Sequence, residues 1–349
     1  MDLFIFYNRI VVTLIVLPVI LLIGVTVTLQ PLDGDLTRIG GHSEGRFGWN
    51  KPQVLFEKSQ FLVAKSIGDY NREFDVVVLG DSFSAHSTKG WENYLVEHTG
   101  LSVIMFYMAD GYTLSDITNS EAYNIHPPKL LIYESVERLA FSRLHELSHK
   151  SWPLSANKEL SGLPSEALVY RVQAKKRINR RNSLGLEQRF SEAVSLIDKS
   201  KFRRLGRDNG KTMVFPLVRS DLFSSGDPSS LLVVMDDTKK VFSDNDVKQA
   251  VLGVNKARSA VEANGHTRFF LMIFPDKLTA YSSFLDPAVK QVSSFIPALA
   301  AHYPLLRLDK SFEVELQQGA KDLYLPNDTH TGSYGHEVAA LSLIDFVFH

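Results

Sequence analysis

The sequence predicts an α/β protein built on a doubly wound parallel sheet and preceded by one N-terminal membrane helix. Three features carry that reading. Twenty consecutive uncharged residues, Ile10 to Leu29, lie near the start, short apolar β-branched runs recur beyond residue 74, and segments of helical period separate several of them.

The uncharged run contains fifteen Ile, Leu or Val residues. At about 1.5 Å per residue a helix of that length spans roughly 30 Å, the hydrocarbon thickness of a bilayer. At roughly −0.4 kcal/mol per aliphatic residue it contributes about −6 kcal/mol towards insertion, which outweighs Pro18 and Gly24. A cleaved signal peptide would have a shorter apolar core and a small-residue cleavage site. Gln30-Pro31-Leu32-Asp33 offers no such site, so residues 1–30 read as an uncleaved anchor whose residues 10–29 contact the lipid bilayer. Arg9 precedes the span, whereas Asp33 and Asp35 follow it, ahead of Arg38. That asymmetry places the N-terminus in the cytoplasm and the body outside it, which for a bacterial chain means an inner-membrane, single-pass, periplasmic arrangement.

Residues 31–73 read as a polar neck, and 74–349 as the folded domain. Asp75-Val76-Val77-Val78-Leu79, ending at Gly80, has the continuous apolar character of a parallel strand buried on both faces. Leu101–Tyr107, Leu130–Tyr133 and Phe269–Phe274 repeat the pattern, and Leu305–Leu308 is a weaker fifth run. Trp91, Tyr94, Leu95 and His98 mark a helix between the first two strands. Val247, Val251, Val254 and Val261 mark another, starting near Ser243 and closed by Gly265. Glu337 to Phe348 reads as a terminal amphipathic segment. At about 150–235 the rhythm breaks. Between 165 and 207 there are twelve Lys or Arg against four acidic residues, read as a solvated helical insertion or as a cationic face for lipid head groups or an anionic glycan.

Composition removes several function classes. Hydrophobic residues make up 44% and charged residues 22%, as in ordinary globular proteins. Lys+Arg (38) nearly balance Asp+Glu (39), giving a net charge of −1 and no global basis for binding nucleic acid. The absence of cysteine excludes disulfides, thiolate zinc, iron–sulfur clusters and a cysteine nucleophile. The histidines are scattered without His-Glu-x-x-His, so no metal and no cofactor is expected.

In a doubly wound sheet, chemistry sits at the carboxyl ends of the strands. The first strand runs into Gly80-Asp81-Ser82-Phe83-Ser84, where a glycine permits a sharp turn and Ser82, at a helix N-terminus, becomes a candidate nucleophile. A serine hydroxyl needs an imidazole base, and the imidazole an orienting acceptor. Asn327-Asp328-Thr329-His330 supplies both: in an extended segment Asp328 and His330 project to the same side. His86, four residues after Ser82, reads as a structural helix residue, and His336 as a stabiliser of the turn that opens the last helix. Glu134, Glu137 and Arg138 lie at a strand's carboxyl end, where a carboxylate–guanidinium pair would brace the pocket.

Val77-Val78-Leu79-Gly80-Asp81-Ser82-Phe83-Ser84 resembles the first block of the SGNH (GDSL) hydrolases, and Asp328-Thr329-His330 resembles their last block. Leu131-Ile132-Tyr133-Glu134-Ser135-Val136-Glu137-Arg138 is similar to the E-x-x-E-R element of the alginate O-acetyltransferase-like branch. Phe274-Pro275-Asp276-Lys277-Leu278-Thr279-Ala280-Tyr281 is similar to its P-x-K-x-x-x-Y element. The similarity covers roughly 70–145 and 240–349. It implies a flavodoxin-like three-layer α/β/α domain in which Ser82 is acylated, His330 acts as base and acid, and Asp328 orients it. It also places Lys277 and Tyr281 on the acceptor side. The implied function is O-acetyl transfer to an exported polysaccharide, with a multi-pass membrane acyltransferase as donor partner. The sequence departs from that branch in three ways. Its Gly-Asp-Ser block comes before its Asp-x-His block, as in ordinary SGNH hydrolases; Thr331 stands where the branch has tryptophan; and the second and third hydrolase blocks are not intact. That leaves the Ser82 N–H as one oxyanion donor and the Gly111 N–H as the candidate second. A carbohydrate esterase with the same residues, and a catalytically silent glycan-binding subunit of an export machine, are the alternatives.

Overall fold

The central sheet has five strands in the spatial order Leu62–Val63, Val103–Tyr107, Val76–Gly80, Leu130–Val136 and Arg268–Phe274, every neighbouring pair parallel. They are β2 (Leu62–Val63), β3 (Val76–Gly80), β4 (Val103–Tyr107), β5 (Leu130–Val136) and β9 (Arg268–Phe274). Two antiparallel pairs flank this sheet: β1 (Gln53–Phe56) with β6 (Lys175–Ile178), and β7 (Thr212–Pro216) with β8 (Ser230–Val234). This computed structural model describes residues 2–28, 33–150, 152, 169–180, 211–238, 241–289 and 292–348.

The pleat sorts each strand's side chains into two cores. Val76, Val78, Met105, Ile132 and Phe274 join one, while Val77, Leu79, Phe106, Leu131 and Ile273 join the other. The first core is closed by the helices Trp91–Thr99, Leu308–Gln317 and Ser333–Phe348. The second is closed by Glu137–His149, Asp244–Glu262 and Phe295–Ala300. Continuous apolar runs in sequence thus correspond to strands covered by helices on both faces. The helix predicted from Ser243 begins with a capping box between Ser243 and Asp246, and Gly265 adopts a φ of 75° beyond its end.

Three expectations need correction. Leu305–Leu308 forms no strand; Leu305 and Leu306 are buried coil, and Leu308 opens a helix, because the apolar residues there cap the first and second cores rather than extend the sheet. The missing fifth strand comes instead from the presumed neck, as β2. The neck itself is built into the body from residue 33 on: Leu36, Phe47, Phe56, Phe61, Tyr70 and Phe74 are all buried. Several of them, such as Leu36, Phe47 and Tyr70, stand isolated in polar sequence, so no period betrays their burial. In the described parts of the basic insertion, 169–180 and 211–235, the structure is β6, β7, β8 and loops with a short 3-10 turn beginning at Met235; the expected helices fall on residues outside those described. Its cations there are partly used internally: Lys175 bonds Glu97 at 2.6 Å and lies over the rings of Phe56 and Tyr94, and Arg180 bonds Glu44 at 3.3 Å.

The N-terminal segment is helical from Asp2 to Thr28, with a π-helical stretch at Val12–Val16 immediately before Pro18. A proline lacks the N–H that would bond the fourth residue back and its ring presses on that carbonyl, which accounts for the widened turn. Phe4–Gly24 has a mean hydropathy of 2.3 with none of it buried, and it is long and apolar enough to cross a membrane.

Helices Glu137–His149 and Asp244–Glu262 cross at Gly253, where an added Cβ would lie 1.9 Å from the Leu144 carbonyl oxygen. Gly253→Ala is therefore expected to destabilise the fold by about 1–3 kcal/mol, read as a lower urea midpoint with an unchanged slope.

Candidate active site

Gly80 ends β3 in close packing: a Cβ there would lie 2.6 Å from Ser84 Oγ and 2.8 Å from Glu134 Oε2. The chain then turns through Asp81-Ser82-Phe83-Ser84 and enters a helix only at Trp91. The expected helix directly after Ser82 is absent because Ser84, Ser87 and Thr88 are poor helix formers and Gly90 breaks the run before Trp91. Ser82 and His86 accordingly share no helical face, and the Ser82 N–H owes nothing to a helix dipole.

Buried polar groups hold this turn. Glu134 Oε2 accepts the Asp81 N–H at 2.9 Å and the Ser84 hydroxyl at 2.8 Å, and Trp91 Nε1–H donates to Ser84 Oγ at 3.0 Å. Asp81 accepts the Phe83 N–H at 3.0 Å, the Val136 N–H at 2.8 Å and Arg143 Nη1–H at 2.6 Å. Arg143 also donates to Ser135 Oγ at 2.6 Å. With its neighbours fastened on both sides, Ser82 is left partly exposed.

The second half of the site is a bend rather than an extended run. Asp328 Oδ1 accepts both the backbone N–H of His330 at 3.0 Å and its Nδ1 at 2.7 Å. His330 Nε2 in turn lies 2.8 Å from Ser82 Oγ. Burial works to raise the Asp328 pKa, but the hydrogen bond and charge of His330 hold it well below the usual carboxylate range. An ionised Asp328 keeps the imidazole proton on Nδ1 and leaves Nε2 to accept the serine proton. The ring of Phe83 packs against that of His330, 4.9 Å between centroids.

His86 and His336 are near but differently employed. His86 packs edge-on against His330 at 5.1 Å and against His336 at 6.1 Å. Burial, then the charge of Lys89, pushes the His86 pKa down to about 3, and burial holds His336 well below the ordinary imidazole value. Both are neutral packing partners, and neither is placed as His330 is against Ser82.

A pocket of about 540 Å³ opens at the carboxyl ends of β3, β4 and β5, lined by Ser82, Tyr107, Gly111, Tyr133, Arg138 and Arg143 among others. Gly111 reaches it, but its N–H donates to the Met108 carbonyl at 3.0 Å, closing a short 3-10 turn, and so is not an available oxyanion donor. The expected Glu–Arg138 brace is also replaced. Arg138, itself at the pocket, bonds Asp276 at 2.8 Å and lies 3.6 Å from Asp237 rather than pairing with a glutamate, and a second guanidinium–carboxylate pair at the pocket is Arg143–Asp81. Glu137 is buried away from the pocket and accepts the Asp276 N–H at 3.0 Å, the Ser294 hydroxyl at 2.7 Å and the Phe295 N–H at 3.0 Å. Carboxylates at a strand end satisfy the backbone N–H groups that the next turns expose, which is why neither Glu134 nor Glu137 turns outward.

Lys277 and Tyr281 do not lie on an acceptor side. Both are fully buried, because the residues preceding them on β9 lead directly beneath the Asp-Thr-His bend. Lys277 Nζ donates to the carbonyls of Leu325 at 2.7 Å, Pro326 at 3.0 Å and Asp328 at 3.1 Å. Burial draws its pKa down to about 7 against the pull of Asp328. Tyr281 OH accepts the Tyr324 N–H at 3.3 Å.

Asp35 completes the site from the other end of the chain. Its carboxylate accepts the Thr329 N–H at 2.9 Å and the Thr329 hydroxyl at 2.7 Å. Oxygens of Asp35 and Asp328 and a ring nitrogen of His330 all lie within 4.8 Å of one another. Burial and the charge of Asp328 raise the Asp35 pKa. Sequence reasoning missed Asp35 and Arg143: Asp35 is separated from Asp328 by 293 positions, and Arg143 reads as one more charge on an amphipathic helix. Comparison with protein-family models, curated proteins and solved structures yields no match.

Two measurements check this geometry. Burial and the charge of Asp81 hold Glu134 well above its ordinary value of 4.5. A raised carboxyl contributes stability that is full below about 4.5 and declines as pH rises towards the folded value. Glu134→Gln keeps the acceptor for Asp81 N–H and should gain melting temperature over the parent at pH 8, with the gain shrinking at pH 5. Asp35→Ala should release Thr329 and, through misplacement of His330, lower kcat for an activated ester on the order of tenfold or more with little change in KM, partly restored by Asp35→Asn.

Proposed function

We propose that the chain is a membrane-anchored SGNH-type O-acyltransferase, transferring an acetyl-sized acyl group to an exported glycan through an acyl-serine. The observation that carries this reading is the aligned contact of Ser82 Oγ with His330 Nε2 at 2.8 Å and of His330 Nδ1 with Asp328 at 2.7 Å. Its position at the carboxyl ends of parallel strands, beside the pocket, supports it further. So does the strand order β4-β3-β5-β9, which agrees with the first four strands of a flavodoxin-like sheet. The apolar N-terminal helix supports a single-pass anchor, and Arg9 ahead of it supports a body on the extracytoplasmic side.

In this mechanism His330 Nε2 takes the Ser82 proton as Oγ attacks the acyl carbonyl, and returns it to the leaving group. The developing oxyanion draws on the Ser82 N–H. With Gly111 engaged, Arg143 brings positive charge to the same pocket while Asp81 and Ser135 hold one of its nitrogens. A sugar hydroxyl, deprotonated by His330, then attacks the acyl-serine and frees the enzyme. A multi-pass membrane acyltransferase is the proposed donor and a polysaccharide the acceptor.

A second reading, an SGNH esterase, is favoured by the order of the motifs, Gly-Asp-Ser before Asp-Thr-His, as in ordinary members of that superfamily. Water and sugar compete at one intermediate. A silent glycan-binding role is disfavoured by the aligned Ser–His–Asp contacts, which binding alone does not require. The deciding experiment incubates the full chain in detergent with a chromogenic acetyl ester, with and without acceptor oligosaccharides. Ser82→Ala and His330→Ala should each lower turnover at least about a thousandfold. Acetylated sugar formed only by the parent establishes transfer, acetate alone establishes the esterase, and neither turnover nor an acyl-serine by mass spectrometry overturns both.

A further inference from the structure

The segment that leaves the N-terminal helix is fastened to the candidate catalytic bend. Leu36 and Thr37 donate their N–H groups to the Asn327 carbonyl at 3.1 and 3.3 Å. Asp35 grips Thr329 through both its N–H and its hydroxyl. Glu44 accepts the Gly34 N–H at 3.3 Å and the Asn327 side-chain amide at 2.9 Å, joining the two segments a second time. Contact is so close at Gly34 that an added Cβ would lie 2.0 Å from the Asn327 carbonyl oxygen. Leu36 is fully buried with Phe47 and Leu232, so the fastening belongs to the folded body.

Thr28 ends the apolar helix, and Asp35 is seven residues further on. At no more than ~3.6 Å per residue, covalent geometry limits that connection to about 25 Å by any path. His330 is within 4.8 Å of Asp35, and Ser82 is 2.8 Å from His330. A nucleophile on the far side of the sheet would not be so confined. Here the tether is fastened directly to the bend that meets the serine, and Ser82 stays within about 40 Å of the end of the helix by any path.

We propose that Ser82 works on groups displayed at the bilayer surface, and that the molecule it modifies is lipid-borne: an ester or glycan still attached to a membrane lipid. This rests on the anchored acyl-serine reading above. A short tether raises the effective concentration of substrates sharing the same surface and does nothing for a polymer released into solution.

The test uses the full chain in phosphatidylcholine vesicles with two reporters, water-soluble umbelliferyl acetate and the same ester joined to a dialkylglycerol. The parent is compared with a variant carrying about 20 Gly/Ser residues between Gln30 and Pro31, which adds roughly 25 Å of average reach. The insertion should leave soluble-ester turnover unchanged and lower the lipid-borne to soluble ratio several-fold. An unchanged ratio overturns the proposal while leaving the serine chemistry standing. If the parent cleaves neither ester, the functional reading fails on its own. Position is then read by a fluorophore on Ser82→Cys, the chain's single cysteine, and a lipid-borne quencher. Quenching that falls with the insertion supports surface placement; quenching that does not change overturns it.

Discussion

A parallel sheet covered by helices on both faces leaves polar chemistry little room except at the ends of its strands, and this constraint organises the molecule. The pleat sends Val76 and Val78 into one core and Val77 and Leu79 into the other, so β3 has no side for water until it stops at Gly80. Where it stops, N–H groups need acceptors. Glu134 and Asp81 supply them, and Glu137 does the same one strand across. Satisfying the strand ends is therefore the same act as shaping the turn that carries Ser82.

The partner bend is held by a different device. Three of its carbonyls converge on Lys277, its threonine is gripped by Asp35, and its asparagine is bonded to Glu44. Such ties hold the His330 ring in place in the folded chain, the preorganisation that the proposed serine chemistry requires. The ties also come from sequence-distant segments, so the site exists only once residues near 35, 277 and 330 have met.

The neighbourhood carries an energetic cost. Among the described residues, both ring nitrogens of His336 are buried without a hydrogen-bond partner, and Glu92 is buried whole beside Ser84. Leaving a buried polar atom unmade costs about 1–3 kcal/mol, so His336 opposes stability next to the candidate site. Burial keeps both residues uncharged, since His336 is held far below and Glu92 well above its ordinary value. His330 is then the imidazole of the cluster that meets a carboxylate on one side and a hydroxyl on the other.

The strong local signals were legible in the sequence because they are periodic or compositional. These were the apolar N-terminal helix, the four long strands, the capped helix after Ser243, and the Ser82, Asp328 and His330 constellation. A strand buried on both faces must be apolar throughout, and a serine with a histidine and an aspartate at compatible chain positions is a recognisable chemical set. The tertiary structure decided what those residues meet. Residues 33–73 look like a neck because their buried residues are spaced without period, yet they supply Asp35 and the edge strand β2. The family resemblance places Lys277 on the acceptor side, and only the tertiary packing reveals it as an internal clamp on the carbonyls of the bend. Gly111 sits at the pocket, but a single backbone bond to Met108 removes its N–H from service. The first two cases turn on contacts between segments far apart in the chain, pair geometry that is written in no local pattern of residues, and the third on a short turn that closes only in the folded backbone.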